Sequence, residues 1–166
     1  RCREIVKGVS VMKTYIGTKI IQAEPAYRVS NDHAHHIIVT DPADAYANYP
    51  DVEEGYRVRY QDGYESWSPK AAFEEAYRLT DGLPFGLAIE AAKKGKKIAR
   101  KGWNGKGQYV ELATGISYTN RSGQTINAEH AAIGNRALAF VGTSGVQMGW
   151  LASQADMLAD DWVIVE

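Results

Sequence analysis

The sequence contains a single cysteine, Cys2, so the chain cannot form an internal disulfide. Its four histidines fall in no His-Glu-x-x-His motif and there is no Cys-x-x-Cys pair, which argues against a zinc site. No apolar run approaches the roughly 20 residues that would span a bilayer. The first residues also lack the apolar core of a signal peptide. We therefore expect a cytosolic protein that binds no metal and enters no membrane.

The sequence also has almost no excess of charge of either sign. Nineteen basic and 20 acidic residues give a formal net charge of -1, so no global positive field attracts nucleic acid. The hydrophobic fraction of 45% and the charged fraction of 23% are typical of a folded globular protein. A length of 166 residues allows one ordinary domain or two small ones.

The start of the chain has two interpretations. Residues 1–11 precede Met12, and Lys7-Gly8-Val9 can be encoded by a purine-rich AAAGGAG run, which is the pattern of a bacterial ribosome-binding site. One hypothesis is that translation starts at Met12 and that residues 1–11 are a leader that the native protein lacks. The other is that these residues form a short native strand.

Residues 12–80 predict a small strand–hairpin–helix module. Residues 15–23 alternate enough to predict a strand, and residues 30–54 are a polar stretch that we expect to be a solvated loop. Three histidines lie close together in that stretch, but their spacing fits no standard metal site. They are His33, His35 and His36.

The second half of this module carries clearer signals. Residues 55–60 alternate, Asp62-Gly63 predicts a hairpin turn, and residues 64–67 begin the return strand. Ser68-Pro69 is typical of a helix N-cap followed by proline at the first helical position. We expect the aromatic residues to form the core, because so small a unit has few other ways to bury area. They are Tyr56, Tyr60, Tyr64, Trp67, Phe73 and Tyr77.

Turn-forming residues at 80–84 predict a linker to a second module. A helix follows over residues 85–94, with Gly95 at its C-terminal end. Residues 98–100 and 108–112 predict two strands around a turn, and residues 137–141 and 145–150 predict an antiparallel pair. Residues 113–136 fit either a hairpin or a long functional loop.

The turn at residues 99–108 has a composition suited to a nucleotide-like ligand. Its arginine and lysines offer donors to anionic oxygens, and its glycines let the backbone approach a ligand closely. Trp103 offers a flat face on which a base could stack. The alternative is a glycine-rich hairpin in which Trp103 packs into the core and the charges are solvated.

A second informative stretch covers residues 151–162. Ser153 and Asp156 have the spacing of a capping box, which predicts a short helix and gives Asp156 a structural role. Residues 163–165 then predict a strand that completes the sheet. We expect four apolar residues to anchor the helix: Leu151, Met157, Leu158 and Trp162.

These two stretches, together with the helix before the turn, resemble the small phage proteins of the second Thoeris anti-defence type. The motifs that carry the resemblance are Arg-Lys-Gly-Trp-Asn-Gly-Lys at 100–106 and Trp-Leu-Ala-Ser-Gln-Ala-Asp at 150–156. The resemblance covers roughly residues 83–166. It implies a sponge that binds glycocyclic ADP-ribose signals made by bacterial TIR-domain proteins and holds them intact. It also implies a homotetramer with ligand pockets between subunits, and in some members a separate site for cyclic oligonucleotides.

By this resemblance, Trp103 stacks on a base, while Arg100 and Lys106 contact the pyrophosphate. Hydrogen bonds to base or ribose edges come from Asn104, Ser153, Gln154 and Asp156. Residues 113–149 match poorly, and Gly149 stands where many relatives carry proline. The choice of ligand is therefore not determined by the resemblance.

We accordingly predict an α+β protein with small antiparallel sheets and short helices in two modules, 12–80 and 83–166. We predict no catalytic residue, metal or cofactor, because no nucleophile–base–orienter set is recognisable. One alternative is an enzyme that cleaves the signal, with Asp156 or His130 as acid or base. The other is a phage structural or nucleic-acid-binding protein.

Overall fold

The computed structural model describes residues 14, 17–30, 35–103, 107–132 and 134–165. The expected leader, His33, Asn104 and Lys106 lie outside these residues. The strands of the described part are β1 (Gln22–Ser30), β2 (His36–Val39), β3 (Val52–Arg59), β4 (Glu65–Pro69), β5 (Lys97–Arg100), β6 (Tyr109–Thr114), β7 (Tyr118–Thr119), β8 (Thr125–Ile126), β9 (Arg136–Gly142), β10 (Gly145–Met148) and β11 (Trp162–Val165). Its helices are α1 (Pro42–Asn48), α2 (Lys70–Ala76), α3 (Phe85–Lys93) and α4 (Gln154–Met157). Antiparallel sheets with short helices confirm the α+β class.

The first sheet has the strand order β2-β1-β3-β4, with antiparallel pairing throughout. The helices α1 and α2 pack on it through aromatic pairs. Tyr46 of α1 meets Tyr27 of β1 edge-on at 5.6 Å, and Phe73 of α2 stacks on Tyr56 of β3 at 4.1 Å between ring centroids. Five of the six aromatic residues predicted for the core are only half-buried, and the fully buried side chains of this sheet and its helices are those of Ala26, Val29, Ala45 and Val58. The sixth aromatic residue, Tyr64, is exposed.

Two predictions for the start of this sheet are wrong. Within the strand predicted at 15–23, residues 17–21 are not in a strand, and the first strand of the described residues begins at Gln22. The predicted loop at 30–54 contains β2, α1 and the start of β3. The helix α1 begins where Asp41 accepts a hydrogen bond from the backbone N–H of Ala43. Aspartate before proline is an N-cap signal that the polar composition of this stretch obscured.

The predicted hairpin at Asp62-Gly63 is confirmed by the pairing of β3 with β4. The predicted N-cap at Ser68 is wrong by one residue, because Ser68 remains in the sheet opposite Tyr56. The helix α2 instead has Pro69 as its N-cap, without a capping side chain. The indole of Trp67 lies against Gly55, where a Cβ atom would come within 2.7 Å of its ring.

The second sheet has the order β10-β9-β6-β5-β11 and is also antiparallel. Its core contains Ile98, Val110 and Trp162, which are fully buried. The helix α3 covers them with small side chains, so its axis can approach the sheet closely. These are Ala88, Ala91 and Ala92.

The helix predicted at 85–94 is confirmed as α3, and the strands predicted at 98–100 and 108–112 are confirmed as β5 and β6. Gly95 has the positive φ of 81° that is typical of the residue after a helix. The turn-rich segment at 80–84 is hydrogen-bonded to β11 at the edge of this sheet. Leu83 and Trp162 exchange backbone hydrogen bonds of 2.7 and 3.1 Å.

Two further predictions concern residues 113–136 and the short helix α4. Residues 113–136 contain the small hairpin β7–β8, one of the two alternatives. Of the four residues expected to anchor α4, Trp162 is buried, but Leu151, Met157 and Leu158 are exposed, because α4 is only one turn long and lays few side chains on the sheet. No helix within the described residues is long and apolar enough to span a bilayer.

Candidate ligand-binding site

The turn after β5 is closed by two backbone hydrogen bonds. The N–H of Trp103 donates to the carbonyl of Arg100 at 3.3 Å, and the N–H of Lys101 donates to the carbonyl of Asp161 at 3.1 Å. The second bond joins the turn to the residue before β11. The turn is therefore held against the end of the chain and directs Trp103 back over the sheet.

Trp103 lies in a cluster of aromatic rings. Its ring meets those of Phe140, Trp150 and Trp162 edge to face, at centroid distances of 5.3, 6.1 and 5.5 Å. The side chain is half-buried and packs against the core. Part of the Trp103 ring therefore packs into the core, as one of the two interpretations predicts, and the rest of the ring is at the surface.

The helix α4 begins with the predicted capping box. The backbone N–H of Asp156 donates to Ser153 Oγ at 3.1 Å, and the N–H of Ser153 donates to Asp156 Oδ2 at 3.0 Å. The hydroxyl of Ser153 also donates to Oδ2 at 2.7 Å. A further bond of 2.9 Å, from Trp162 Nε1 to the carbonyl of Asp156, ties the helix to the aromatic cluster.

Arg100 connects the turn to this helix. Its Nη1 donates to Asp156 Oδ1 at 3.1 Å and to the carbonyl of Ala155 at 3.3 Å. Its Nε and Nη2 donate to the two carboxylate oxygens of Asp161, at 2.8 and 3.4 Å. The three ionic side chains are largely covered, with exposed fractions of 22% for Arg100, 16% for Asp156 and 36% for Asp161. We call Arg100, Asp156 and Asp161 the arginine bridge.

The bridge sets the charge states of its members. Burial opposes ionisation of Asp156, but hydrogen bonds from Ser153 and Arg100 outweigh it and hold the pKa of Asp156 below its ordinary value. Hydrogen bonds from Arg100 lower the pKa of Asp161, and the backbone N–H of Gly102 contributes to this. Both carboxylates are therefore charged at neutral pH, and the bridge has a net charge of -1.

The structure brings together three of the candidate site residues, Arg100, Ser153 and Asp156, and places Trp103 next to them. Gln154 is exposed on α4. His130, the other acid–base candidate, is exposed, and its ring lies beside Gly115. Within the described ranges, no group of three or more histidine, cysteine, aspartate and glutamate side chains could hold a metal ion.

Sequence reasoning assigned no role to Asp161, the third member of the bridge. The sequence shows only that Asp161 directly precedes Trp162, which is the residue of β11 that pairs with Arg100 of β5. This position could have indicated a contact between Asp161 and Arg100. That signal requires the strand pairing to be known. The pairing of β5 with β11 joins residues about 60 positions apart, and no local pattern reports it.

Two concave surfaces lie on the first sheet. One of about 430 Å³ is bordered by Arg28, Ser30, His36 and residues 50–53. Arg28 is already paired with Glu53 and lies over the ring of Trp67, 4.2 Å from its centroid. The positive charge of Arg28 is thus already paired within the first sheet, and we assign no ligand to this surface.

The second sheet with its helix α3, and the site built on it, define a domain of a known class. The chain belongs to the Tad2-like family, because residues 83–165 match the Thoeris anti-defense 2-like domain. It is 35% identical over 88 residues to Thoeris anti-defense 2 of Bacillus phage SP01, and the match covers 50% of this chain and 94% of that relative. The family supports a phage role against Thoeris defence, and an anti-defence description fits a role without catalysis.

Proposed function

We propose that the chain acts in the cytoplasm of the infected host as a sponge for a cyclic nucleotide-derived immune signal. The signal class is glycocyclic ADP-ribose made by TIR-domain proteins, and the protein holds it without cleaving it. The observation that carries this proposal is the family match, which includes both motif stretches of the site. We propose cyclic oligonucleotides as a second class of signal that the protein binds.

The geometry of the site supports binding. The two motif stretches are separated by more than 40 residues, yet Arg100 joins them at 3.1 Å from Asp156. The half-buried ring of Trp103 retains a surface on which a base could stack. Among the described residues, the hydrogen bonds of Arg100 use four of its five N–H donors, which leaves one on Nη2 for a ligand oxygen.

The proposed contacts follow from these positions and from the family resemblance. The base stacks on Trp103, the pyrophosphate meets Arg100 and Lys106, and polar edges meet Asn104 and α4. The contacts from α4 are Ser153, Gln154 and Asp156. The exposed amide of Gln154 is directly accessible, whereas the carboxylate of Asp156 offers only the lone pairs that Ser153 and Arg100 do not use.

A single experiment separates a sponge from an enzyme. The protein is incubated with glycocyclic ADP-ribose, then denatured by heat, and the released small molecules are analysed by mass spectrometry. A sponge returns intact signal in an amount equal to that bound. Conversion to a linear or hydrolysed product that increases with time would contradict the proposal and favour an acid–base role for Asp156 or His130.

Ligand choice is tested by calorimetry against a panel of TIR-derived signals, cyclic oligonucleotides and single-stranded DNA. We expect tight binding to a member of the first two classes. Binding to DNA alone, with an affinity that falls steeply with salt, would instead indicate a nucleic-acid-binding protein.

The modular organisation is part of the proposal. We propose that residues 83–166 carry the signal site and that residues 12–80 form a separate module. A protein limited to residues 83–166 should bind the signal as the whole chain does. Loss of binding in a folded 83–166 fragment would show that the first module contributes to the site.

A further inference from the structure

We propose that Asp161 is a positioning residue for the ligand site: by holding Arg100 and the turn that follows it, Asp161 keeps the Trp103 turn and α4 in the arrangement that binds the signal. This inference rests on the proposed function for its ligand, but its geometry concerns the protein alone. Asp161 itself need not touch the ligand.

The first observation is the number of links that Asp161 makes to one short segment. Its carboxylate accepts from Nε and Nη2 of Arg100 at 2.8 and 3.4 Å, which is the two-point arrangement that fixes the plane of a guanidinium. Its backbone carbonyl accepts from the N–H of Lys101 at 3.1 Å. A Cβ atom on Gly102 would lie 3.9 Å from Asp161 Oδ2, so the carboxylate also borders the turn backbone.

The second observation is what Arg100 does once Asp161 has oriented it. The remaining edge of the guanidinium, Nη1, reaches Asp156 Oδ1 and the carbonyl of Ala155 on α4. The helix α4 has one turn only, contains no buried residue, and leaves Leu158 exposed, so packing alone holds it weakly. The attachment of α4 therefore depends on the arginine bridge together with the hydrogen bond from Trp162 Nε1 to the carbonyl of Asp156.

The third observation is the location of Trp103 between these parts. Its N–H donates to the carbonyl of Arg100, and its ring contacts Trp162, the residue that follows Asp161. A change in the plane of Arg100 moves both the backbone that carries Trp103 and the helix that carries Gln154. A ligand that contacts both segments is sensitive to this, since displacements of about 1 Å are enough to weaken oriented contacts substantially.

The test compares Asp161→Asn with Asp160→Asn. The neighbouring Asp160 is exposed, so its substitution changes the same charge at nearly the same place without touching the bridge. Affinity for glycocyclic ADP-ribose is measured by calorimetry, and hydrogen exchange of the backbone amides of residues 101–103 and 154–158 is measured in the ligand-free proteins. We expect Asp161→Asn to bind at least tenfold more weakly and to exchange faster in both segments, while Asp160→Asn matches the wild type.

The exchange measurement separates positioning from a general loss of stability. A positioning role predicts faster exchange confined to the turn and α4, with unchanged exchange in the core strand β6. Wild-type affinity in Asp161→Asn, or faster exchange throughout the second sheet, would overturn the inference. If Asp161→Asn does not fold, Asp161→Glu is the second variant, because it keeps the negative charge. We expect Asp161→Glu to fold and to bind the signal more weakly than the wild type. Its amide exchange should increase in the same two segments only. Unchanged exchange in Asp161→Glu would then overturn the inference.

The outcomes also distinguish this inference from the proposed function. If the wild type binds no signal in the panel, the proposed function fails, while the exchange data still decide whether Asp161 positions the two segments. If the wild type binds and Asp161→Asn binds equally well, the sponge proposal stands and the inference fails.

Discussion

Asp156 has two separate uses for its carboxylate. Oδ2 completes the capping box with Ser153, and Oδ1 accepts from Arg100. The cap and the ion pair therefore depend on different oxygens, and a conservative substitution separates them.

We expect Asp156→Glu to retain the cap, because a capping box accepts either acid, and to lose less stability than Asp156→Ala. The added methylene moves the carboxylate relative to Arg100 and to any ligand atom. Signal affinity should fall by more than tenfold, which corresponds to about 1.4 kcal/mol. Asp156→Ala is the matched variant that loses the cap, with an expected cost of about 0.5–2 kcal/mol in the free energy of unfolding. Full binding by Asp156→Glu would leave Asp156 with a structural role only.

Trp103 contributes to both packing and the proposed binding. We expect Trp103→Ala to lower the free energy of unfolding by about 3 kcal/mol, near the low end of the range for large aromatic truncations, because the ring is only half-buried. Affinity of the folded protein should fall by about 1–3 kcal/mol if a base stacks on the ring. Urea unfolding and calorimetry below the transition measure the two effects.

The control for Trp103 is Trp150→Ala, which removes another ring from the same aromatic cluster. It should destabilise the domain without the same loss of affinity. An unchanged affinity in folded Trp103→Ala would reject the stacking role and leave Trp103 as a core residue.

The arginine bridge makes the stability of the domain depend on pH. The pKa values of Asp156 and Asp161 are lower in the folded protein than the value of about 3.9 for a free aspartate, so the unfolded chain takes up protons first as the pH falls. The stabilisation is complete above about pH 5 and is lost as the pH falls through 4 toward the folded pKa values.

We therefore expect the free energy of unfolding to decrease below about pH 5 more steeply in the wild type than in Arg100→Gln, which lacks the cation that lowers both pKa values. The comparison cancels the contributions of Glu54 and Glu65, whose pKa values are also lowered by cations elsewhere. Denaturant titrations at pH 3, 4, 5 and 7 provide the measurement. Parallel curves for the two proteins would contradict this assignment.

The helix α3 shows how a run of small residues positions an element. Ala88 and Ala92 are completely buried against the sheet, whereas Gly86 on the same helix has open space around its Cα. The helix thus tolerates added volume at one end and not on its packed face.

We expect Ala88→Leu to destabilise the domain by about 1–3 kcal/mol through overpacking. Gly86→Ala is the matched control: it adds a methyl group in free space in the first turn of α3 and should change the free energy of unfolding by less than about 0.5 kcal/mol. Thermal melting with urea titration tests both. Equal stability of the two variants would show that the face of α3 is less tightly packed than described.

The surface of the second sheet suggests how whole molecules associate. Its edge strand β10 and the region around α4 present exposed apolar side chains, an arrangement often found at interfaces between subunits. They are Val146, Met148, Leu151 and Leu158.

We predict a closed homo-oligomer, a tetramer, by light scattering at micromolar concentration. Leu158→Glu should reduce the mass of the assembly and weaken signal binding if the pocket lies between subunits. Leu79→Glu is the control, because Leu79 is also 80% exposed but lies outside the matched domain. A monomer that still binds the signal tightly would contradict the prediction.

Local chemistry was enough to predict the hairpin at Asp62-Gly63, the helix α3 with its glycine end, and the Ser153–Asp156 capping box. Each of these depends on residues within about ten positions of one another, so turn preferences, helical periodicity and capping rules apply directly. The polar composition of residues 30–54 misled the same reasoning. There, β2 is held by pairing with β1, and α1 by its contact with Tyr27.

The sequence motifs proposed which residues form the candidate site, but they could not give the arrangement of those residues. The motif stretches proposed Arg100, Trp103, Ser153 and Asp156 as candidates, while the pairing of β5 with β11 decided that Arg100 lies between two carboxylates. The same folding placed Trp103 among three rings and left Leu151 and Leu158 exposed. These outcomes depend on contacts between residues far apart in sequence. Side chains of one type can be buried, paired or exposed according to what the fold brings beside them.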